Sequence, residues 1–296
     1  MKVFFAVLAL SVSVVPAAAQ PQDFSAVEVK AEKVADGIYM LTGAGGNIGL
    51  SVGKSGTYVI DDQYAPLTDK ILAAIRAITP DPVRFVVNTH WHGDHTGGNE
   101  NLGKAGALLV AHENVRRRMS GEQFNATFNR STPPSPEAAL PVVTFTDAVT
   151  FHWNGDEIRV HHVPPAHTDG DSIVHFVKAD VVHMGDLFFN GGYPYIDTSS
   201  GGKVDGVIAA AEHALANVDE TTRIIPGHGP VATKADLQAY RDVVKTLRDR
   251  IAKLKAAGKS RDEAIAAKPT ADHDAKWGTG FMKGDAFTGL VYDSLP

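Results

Sequence analysis

The chain contains no cysteine among its 296 residues. Disulfide bonds, thiolate metal ligands and cysteine nucleophiles are therefore excluded. It also lacks an excess of positive charge, because 28 lysines and arginines are outnumbered by 34 aspartates and glutamates. A protein that tracks a nucleic-acid backbone needs a basic surface. We therefore expect no nucleic-acid partner, and any metal site has to be built from histidine and carboxylate groups.

Long apolar runs are scarce, and the one of note lies at the N-terminus. A basic start, an apolar run over residues 3–15 and the small residues Ala17, Ala18 and Ala19 follow one another. This order is typical of a secretory signal peptide, and the run is too short for a membrane span. We expect cleavage of residues 1–19. Residues 20–296 should then form a single domain that is periplasmic or secreted and has no membrane contact.

The apolar patterns alternate between strand and helix periods in two similar halves. Strands are predicted over residues 27–34, 37–42, 47–52, 57–61, 83–88, 107–111, 142–145, 149–153, 157–163, 173–177, 181–184 and 223–225. Helices are predicted over residues 66–79, 115–128, 204–216 and 235–254, with an extended link over residues 131–141. Because each half has strands followed by covering helices, the pattern favours an α/β fold, a four-layer αββα sandwich.

The stretch His90-Trp91-His92-Gly93-Asp94-His95 concentrates the chemistry of a metal site. Three imidazoles and one carboxylate lie within six residues, and zinc accepts both ligand types. The stretch follows the predicted strand 83–88, so its ligands lie on the loop at the carboxyl end of that strand. Open α/β sheets place their sites at this end.

Three further residues that can bind metals also follow predicted strands. His167, Asp186 and His228 each come shortly after an apolar run and have glycine or proline close by. Histidines scattered through a core would not track strand ends in this way. We therefore expect all of these residues to meet at one edge of the sheets.

With these residues in view, the chain resembles the metallo-β-lactamase superfamily over residues 30–295, because the order and rough spacing of its ligand motif match. The resemblance implies two zinc ions at one edge of an αββα sandwich. The ligands that it implies are His90, His92 and His167 for one ion, Asp94, His95 and His228 for the other, and Asp186 to complete or bridge the pair.

The resemblance also implies a reaction. A hydroxide held by zinc would attack a carbonyl carbon, while Asp94 would orient the nucleophile and take part in proton transfer. The leading hypothesis is hydrolysis of a cyclic amide or ester in a small molecule, with β-lactam-like chemistry. A lactonase or a thioesterase similar to glyoxalase II is an alternative. A non-catalytic metal-binding accessory protein is an alternative of another class.

Two positions depart from the efficient β-lactamases of this family. Many of them carry cysteine where this chain has Asp186, and a lysine that grips the β-lactam carboxylate where it has Phe189. We therefore expect β-lactam hydrolysis to be weak or promiscuous. Residues 43–46, rich in glycine, are predicted to be a mobile hairpin tip. The candidate substrate contacts are Trp91, Phe188, Phe189, Asn190, Tyr193 and Tyr195.

Export gives a first test. The protein recovered from the periplasm of a bacterial host should begin at Gln20, because signal peptidase cuts after small residues such as those that end at Ala19. The intact mass of the purified protein measures this. A full-length chain that stays in the cytoplasmic fraction would contradict the export hypothesis.

Overall fold

A computed structural model describes residues 23–296, so the predicted signal peptide lies outside the described residues. Over this range the strands are, in chain order, β1 (Lys30–Ala35), β2 (Ile38–Thr42), β3 (Ile48–Ser51), β4 (Thr57–Ile60), β5 (Val83–Asn88), β6 (Leu108–His112), β7 (Gln123–Asn125), β8 (Arg130–Thr132), β9 (Val143–Phe145), β10 (Ala148–Trp153), β11 (Asp156–His162), β12 (Ser172–Phe176), β13 (Val181–His183) and β14 (Arg223–Ile225). The α-helices are α1 (Thr68–Ile78), α2 (Gly93–Thr96), α3 (Asn99–Lys104), α4 (Glu113–Met119), α5 (Val204–Ala216), α6 (Lys234–Ala256), α7 (Arg261–Ala266), α8 (Asp274–Trp277) and α9 (Gly284–Ser294).

Two sheets share a core. Within the described residues the first has the strand order β1-β2-β3-β4-β5-β6-β9, antiparallel as far as β4 and parallel from β4 to β9. The second has the order β10-β11-β12-β13-β14, in which β13 and β14 run parallel. Buried side chains from both sheets, among them Tyr58, Val87, Val174 and Phe176, pack together. The sheets therefore lie face to face.

Helices cover the outer face of each sheet. Successive residues of a strand point to opposite faces, so Val87 packs between the sheets while its neighbour Val86 packs with Ile71 of α1. On the second sheet, Val182 packs in a cluster that includes Leu247 of α6. The layers run helix, sheet, sheet, helix, and the predicted αββα sandwich is confirmed. None of the helices within residues 23–296 has the length and apolar character that crossing a membrane requires.

The predicted helix over residues 115–128 is wrong beyond its first turns. Helix α4 ends at Met119, and β7 and β8 then form a hairpin in which Asn129 adopts a left-handed conformation, with φ of 47°. Phe124 and Phe128 are exposed. The segment therefore has no buried apolar face, which is what stabilises most helices in proteins. Strand β8 also begins the stretch predicted as an extended link.

Helix α5 begins against the loop that carries His167. The backbone amide of Lys203 donates to the carbonyl of Ala166 at 2.7 Å. A Cβ atom added at Gly206 would lie 1.9 Å from the carbonyl oxygen of Pro165. Only glycine therefore allows this helix to lie so close to the loop.

We expect Gly206→Ala to destabilise the protein, although alanine normally favours a helix by about 1 kcal/mol over glycine. The added methyl group forces helix and loop apart, and overpacking of this kind costs about 1–3 kcal/mol. Urea unfolding measures the change. Gly121→Ala is the control, because a Cβ there meets only a side-chain nitrogen of Gln123 at 3.7 Å. Unchanged or higher stability of Gly206→Ala would contradict the close approach.

Candidate metal centre

The structure brings the seven candidate ligands together at the carboxyl ends of strands from both sheets. Four of them follow β5, and the other three follow β11, β13 and β14. Asp94 Oδ2 lies 3.6 Å from His95 Nε2 and 3.5 Å from His228 Nε2. His167 Nε2 lies 2.9 Å from His92 Nδ1. Residues far apart in the chain thus form one cluster.

Within the part of the chain that the structure describes, the cluster contains three overlapping sets of residues. Within each set, the atoms that could bind a metal all lie within 4.8 Å of one another. The sets are His90, His92 and His167; His90, His95 and Asp186; and Asp94, His95 and His228. Asp186 connects them, since its Oδ2 lies 3.5 Å from His167 Nε2 while its Oδ1 lies 3.4 Å from His228 Nε2. One carboxylate therefore offers an oxygen to each side of the cluster.

Three atoms at the centre of the cluster make no regular hydrogen bond within residues 23–296, although His95 Nε2 and Asp186 Oδ1 lie 3.1 Å apart. Nε2 of His90, Nε2 of His95 and Oδ1 of Asp186 are buried without a hydrogen-bond partner among the described residues. An unpaired buried polar atom costs about 1–3 kcal/mol. A cation between these atoms would satisfy all three at once, so the residues fit a metal ion.

Carboxylates behind the cluster orient two of the imidazoles. His95 donates from Nδ1 to Asp61 Oδ2 at 2.7 Å, which leaves its Nε2 facing the centre. His92 is turned the other way, because its Nε2 donates to Asp197 Oδ2 at 2.9 Å and its Nδ1 faces His167. Partners of this kind set the tautomer of a ligating histidine and increase its basicity.

The tautomer of His90 follows from a chain of hydrogen bonds. The Thr89 hydroxyl donates to Asp61 Oδ2 at 2.8 Å, so its oxygen has to accept from His90 Nδ1, 3.0 Å away. The lone pair of His90 is therefore on Nε2, toward the centre. His167 is fixed similarly, since its Nδ1 donates to the carbonyl oxygen of Tyr195 at 2.7 Å.

The electrostatics of the cluster favour ligating forms at some side chains and protonated forms at others. Burial alone would lower the pKa of His95 and of His228, but the charge of Asp186 raises the first well above its ordinary value and the second to about 9, so a bound cation would displace protons from these two imidazoles.

Burial lowers the pKa of His90 well below its ordinary value, and the charges of His95 and His167 lower it further. Burial alone would raise the pKa of Asp94, but the charge of His95 and the hydrogen bond from His228 bring that pKa down to about 2. Neutral imidazole and ionised carboxylate are the forms that act as ligands.

Four of the candidate ligands, His92, Asp94, Asp186 and His228, form the floor of a cavity of about 820 Å³, a size typical of small-molecule sites. The predicted substrate contacts Trp91, Phe189, Asn190, Tyr193 and Tyr195 all line it. Phe188 does not. It is fully buried and packs against Tyr240, with ring centroids 4.9 Å apart. The backbone is extended at Phe188, so adjacent side chains point in opposite directions, and the expectation for Phe188 is corrected.

The glycine-rich tip at residues 43–46, predicted to be a mobile hairpin tip, packs onto the ligand cluster. The carbonyl of Gly46 accepts a hydrogen bond from Gln63 Nε2 at 2.7 Å. A Cβ at Gly46 would lie 2.1 Å from His95 Cε1. Glycine is required here because the backbone approaches the imidazole ring so closely.

Asn47, next to this tip, holds the loop that carries His228. Its side-chain Nδ2 donates to the carbonyl oxygens of Pro226 and Gly229, at 2.9 and 2.8 Å. Its backbone amide donates to the carbonyl of Gly227 at 2.7 Å. An element of the first sheet therefore fixes a ligand loop of the second.

The stretch Gly49-Leu50-Ser51-Val52-Gly53 matches the Gly-x-Ser-x-Gly pattern of serine hydrolases. In those enzymes the serine occupies a turn between a strand and a helix. Ser51 instead lies buried in β3, where it accepts a hydrogen bond from Asn154 Nδ2 at 3.2 Å. The match therefore carries no serine nucleophile.

Sequence reasoning missed the residues that support the ligands. Asp61 had a usable signal, because it directly follows strand β4 just as the ligands follow their strands. Asp197 had none, since it lies in an irregular segment before a short 3-10 turn. Tyr64, Phe128 and Phe281 also line the cavity, from segments that no motif marks.

We expect Asp61→Asn to weaken metal binding by about 10–100-fold, the usual effect of losing a carboxylate behind a ligating histidine. Asparagine tolerates the left-handed backbone at this position, where φ is 59°, so the fold should persist. Competition with a chromophoric chelator measures the affinity. The control is Asp156→Asn, which removes a carboxylate that accepts backbone amides in the β10–β11 region. Equal affinities for both variants would contradict the role of Asp61.

Solved structures share this backbone arrangement. The crystal structure of the DIM-1 metallo-β-lactamase is similar with a TM-score of 0.60 and 21% identity, over 74% of this chain and 99% of that one. The sec-alkylsulfatase Pisa1 from Pseudomonas sp. is similar with a TM-score of 0.70 and 17% identity, over 89% of this chain and 50% of that one. At these identities the likeness shows the fold alone.

Curated relatives resemble the chain more in sequence. A hydroxyacylglutathione hydrolase from Polaromonas sp. is 27% identical over 161 residues, which are 54% of this chain and 53% of the relative. One from Nitrosococcus oceani is 28% identical over 144 residues, which are 48% of this chain and 47% of the relative. The chain thus spans about half the length of the curated relatives that it matches.

A sequence model of the metallo-β-lactamase superfamily matches residues 41–233. This range is well over half of the chain, and it contains every candidate ligand from His90 to His228. The match agrees with the layers of the fold and with the clustered ligands. The chain belongs to the metallo-β-lactamase superfamily.

Proposed function

We propose that this protein is an exported hydrolase that holds two zinc ions and cleaves the carbonyl-to-heteroatom bond of an ester, thioester or amide. The observation that supports this most directly is the pair of ligand sets joined by Asp186 on the floor of an open cavity. The signal-like residues 1–19 support export.

The donor atoms favour zinc. The cluster offers imidazole nitrogens and carboxylate oxygens with no thiolate, a mixture that suits zinc and related divalent ions. Three nitrogens, from His90, His92 and His167, would hold one ion. Asp94, His95 and His228 would hold the other, with an oxygen of Asp186 directed toward each set. Each set supplies three ligands besides Asp186, and zinc can expand from four to five ligands, so a water could bind even when Asp186 also does.

The residues of the cavity floor suit hydrolysis. Bound zinc ions supply an acidified water and polarise a carbonyl oxygen. Asp94 is partly exposed to the cavity, so it can orient the attacking water and receive its proton. The water oxygen bonds to the carbonyl carbon, the bond to the leaving oxygen, sulfur or nitrogen breaks, and the leaving atom takes the proton from Asp94.

The openness of the site favours an enzyme over a metal-storage protein. The side chains of Asp94 and His228 are 23% and 33% exposed and face the cavity. A storage site would enclose its ions completely. The non-catalytic alternative therefore fits the geometry less well.

The residue at position 189 and the curated relatives favour esters and thioesters over β-lactams as substrates. Phe189 stacks on His228, with centroids 5.0 Å apart and planes at 16°, so the place where a lysine would bind a β-lactam carboxylate is apolar. The curated relatives are named hydroxyacylglutathione hydrolases, which favours a thioester as a candidate substrate. Slow β-lactam hydrolysis remains part of the proposal.

A panel of substrates tests this proposal. The zinc-loaded mature protein should hydrolyse aryl esters, lactones or acyl thioesters, with β-lactams slower. Chelation and dialysis should abolish turnover, and added zinc should restore it.

At saturating zinc, Asp94→Asn should lower kcat by about 100-fold or more, the contribution typical of a positioned acid–base group. Absorbance assays measure each rate.

The matched control is Asp36→Asn, which alters an exposed carboxylate in the β1–β2 turn and should leave the rates unchanged. Full turnover after exhaustive chelation would contradict metal dependence. Absence of turnover on every ester, thioester and amide would contradict the hydrolase proposal itself.

A further inference from the structure

Three aromatic side chains, which we call the aromatic wall, line the cavity from the metal centre to its mouth. They are Tyr195, Phe128 and Phe281. The ring centroids of His92 and Tyr195 are 5.9 Å apart, those of Tyr195 and Phe128 are 5.3 Å apart, and those of Phe128 and Phe281 are 5.9 Å apart. The rings therefore form a continuous row that begins at a metal ligand.

Exposure rises along this row. Tyr195 is 6% exposed, Phe128 is 48% exposed and Phe281 is 72% exposed. Single exposed apolar residues are common on protein surfaces. Two exposed rings from separate segments that converge on one cavity, with the buried Tyr195 behind them, are different, because contiguous exposed apolar surface marks a place where something binds. The row is also continuous with the proposed site of chemistry.

Hydrogen bonds hold the hairpin β7–β8, which carries Phe128, against the cavity. Asn125 Nδ2 donates to the Tyr195 hydroxyl at 2.7 Å, and the backbone amide of Ala126 donates to Ser199 Oγ at 3.0 Å. Phe128 is therefore already in place before a ligand arrives. Binding to a preformed surface avoids the entropic cost of ordering it.

We propose that the aromatic wall binds an apolar alkyl or aryl group of the substrate that extends outward from the scissile carbonyl. This inference rests on the proposed function, since the carbonyl end has to lie at the metal centre. Aromatic faces offer large apolar area without requiring hydrogen bonds. The wall therefore selects for the length of an apolar chain, and a short acyl group would leave Phe128 and Phe281 uncovered.

Binding of alkyl hydroxamates to the zinc-loaded protein tests this independently of turnover, because the hydroxamate head ligates zinc and the chain is varied. From the acetyl to the octanoyl compound, we expect the Kd to fall by about two- to four-fold for each methylene that covers the wall. Phe128→Ala and Phe281→Ala should each weaken octanoyl binding by about ten-fold. They should leave acetyl binding unchanged. Isothermal titration calorimetry measures each Kd.

Phe124→Ala is the matched control. Phe124 belongs to the same hairpin and is 55% exposed, similar to Phe128, but it does not line the cavity. Its substitution should leave both affinities unchanged. The same loss in Phe124→Ala, or a Kd that does not depend on chain length, would overturn the inference.

Ester hydrolysis separates the two proposals. Acyl esters that are hydrolysed with no preference for chain length would overturn the aromatic wall and leave the hydrolase proposal standing. Hydroxamate binding that depends on chain length and on Phe128, with no turnover of any ester, thioester or amide, would overturn hydrolysis. In that case the wall would stand as a ligand-binding surface.

Discussion

Buried imidazole and carboxylate atoms that converge without forming a full set of hydrogen bonds are the constraint on which this structure depends. The ring nitrogens of His90 and His95 that face outward from the centre are bonded to Thr89 and Asp61. The inward nitrogen of His90 is therefore an acceptor, while Nε2 of His95 lies 3.1 Å from Oδ1 of Asp186. A cation shared between these atoms would satisfy them together, and at His95 it would replace the proton that Asp186 and Asp94 stabilise against burial. The capacity of the site to hold a metal ion thus depends on hydrogen bonds made on its outer side.

The sandwich supplies what this cluster needs. Strand ends from two sheets bring ligands from distant parts of the chain to one edge, while close backbone approaches hold them. Gly46 lies against the ring of His95, and Gly206 lies against the loop of His167. Hydrophobic packing between the sheets provides the rigidity that such approaches require. Above this edge, the cavity walls come from loops and from the β7–β8 hairpin, so the candidate ligands and the cavity walls are built from separate parts of the chain.

The layer order and the common location of the seven ligands were predictable, because apolar periodicity and residues that follow strand ends are local signals. The β7–β8 hairpin was not, since its apolar spacing also suits a helix and only the exposure of Phe124 decides against one. Phe188 was misassigned for a related reason. Its neighbour Phe189 faces the cavity while Phe188 faces the core, and composition alone does not show which of two adjacent aromatics points inward. Asp197 acts across a long sequence separation with no motif to mark it.

The hydrogen bonds of Asn47 affect how the protein unfolds. Its three hydrogen bonds tie the start of β3 to the loop after β14, so the spacing between the two sheets also sets the spacing between ligand groups. Any sliding of one sheet over the other would pull His228 away from His95. Ions bound at this edge would cross-link the two sheets. Release of the ions and separation of the sheets during unfolding would therefore occur together.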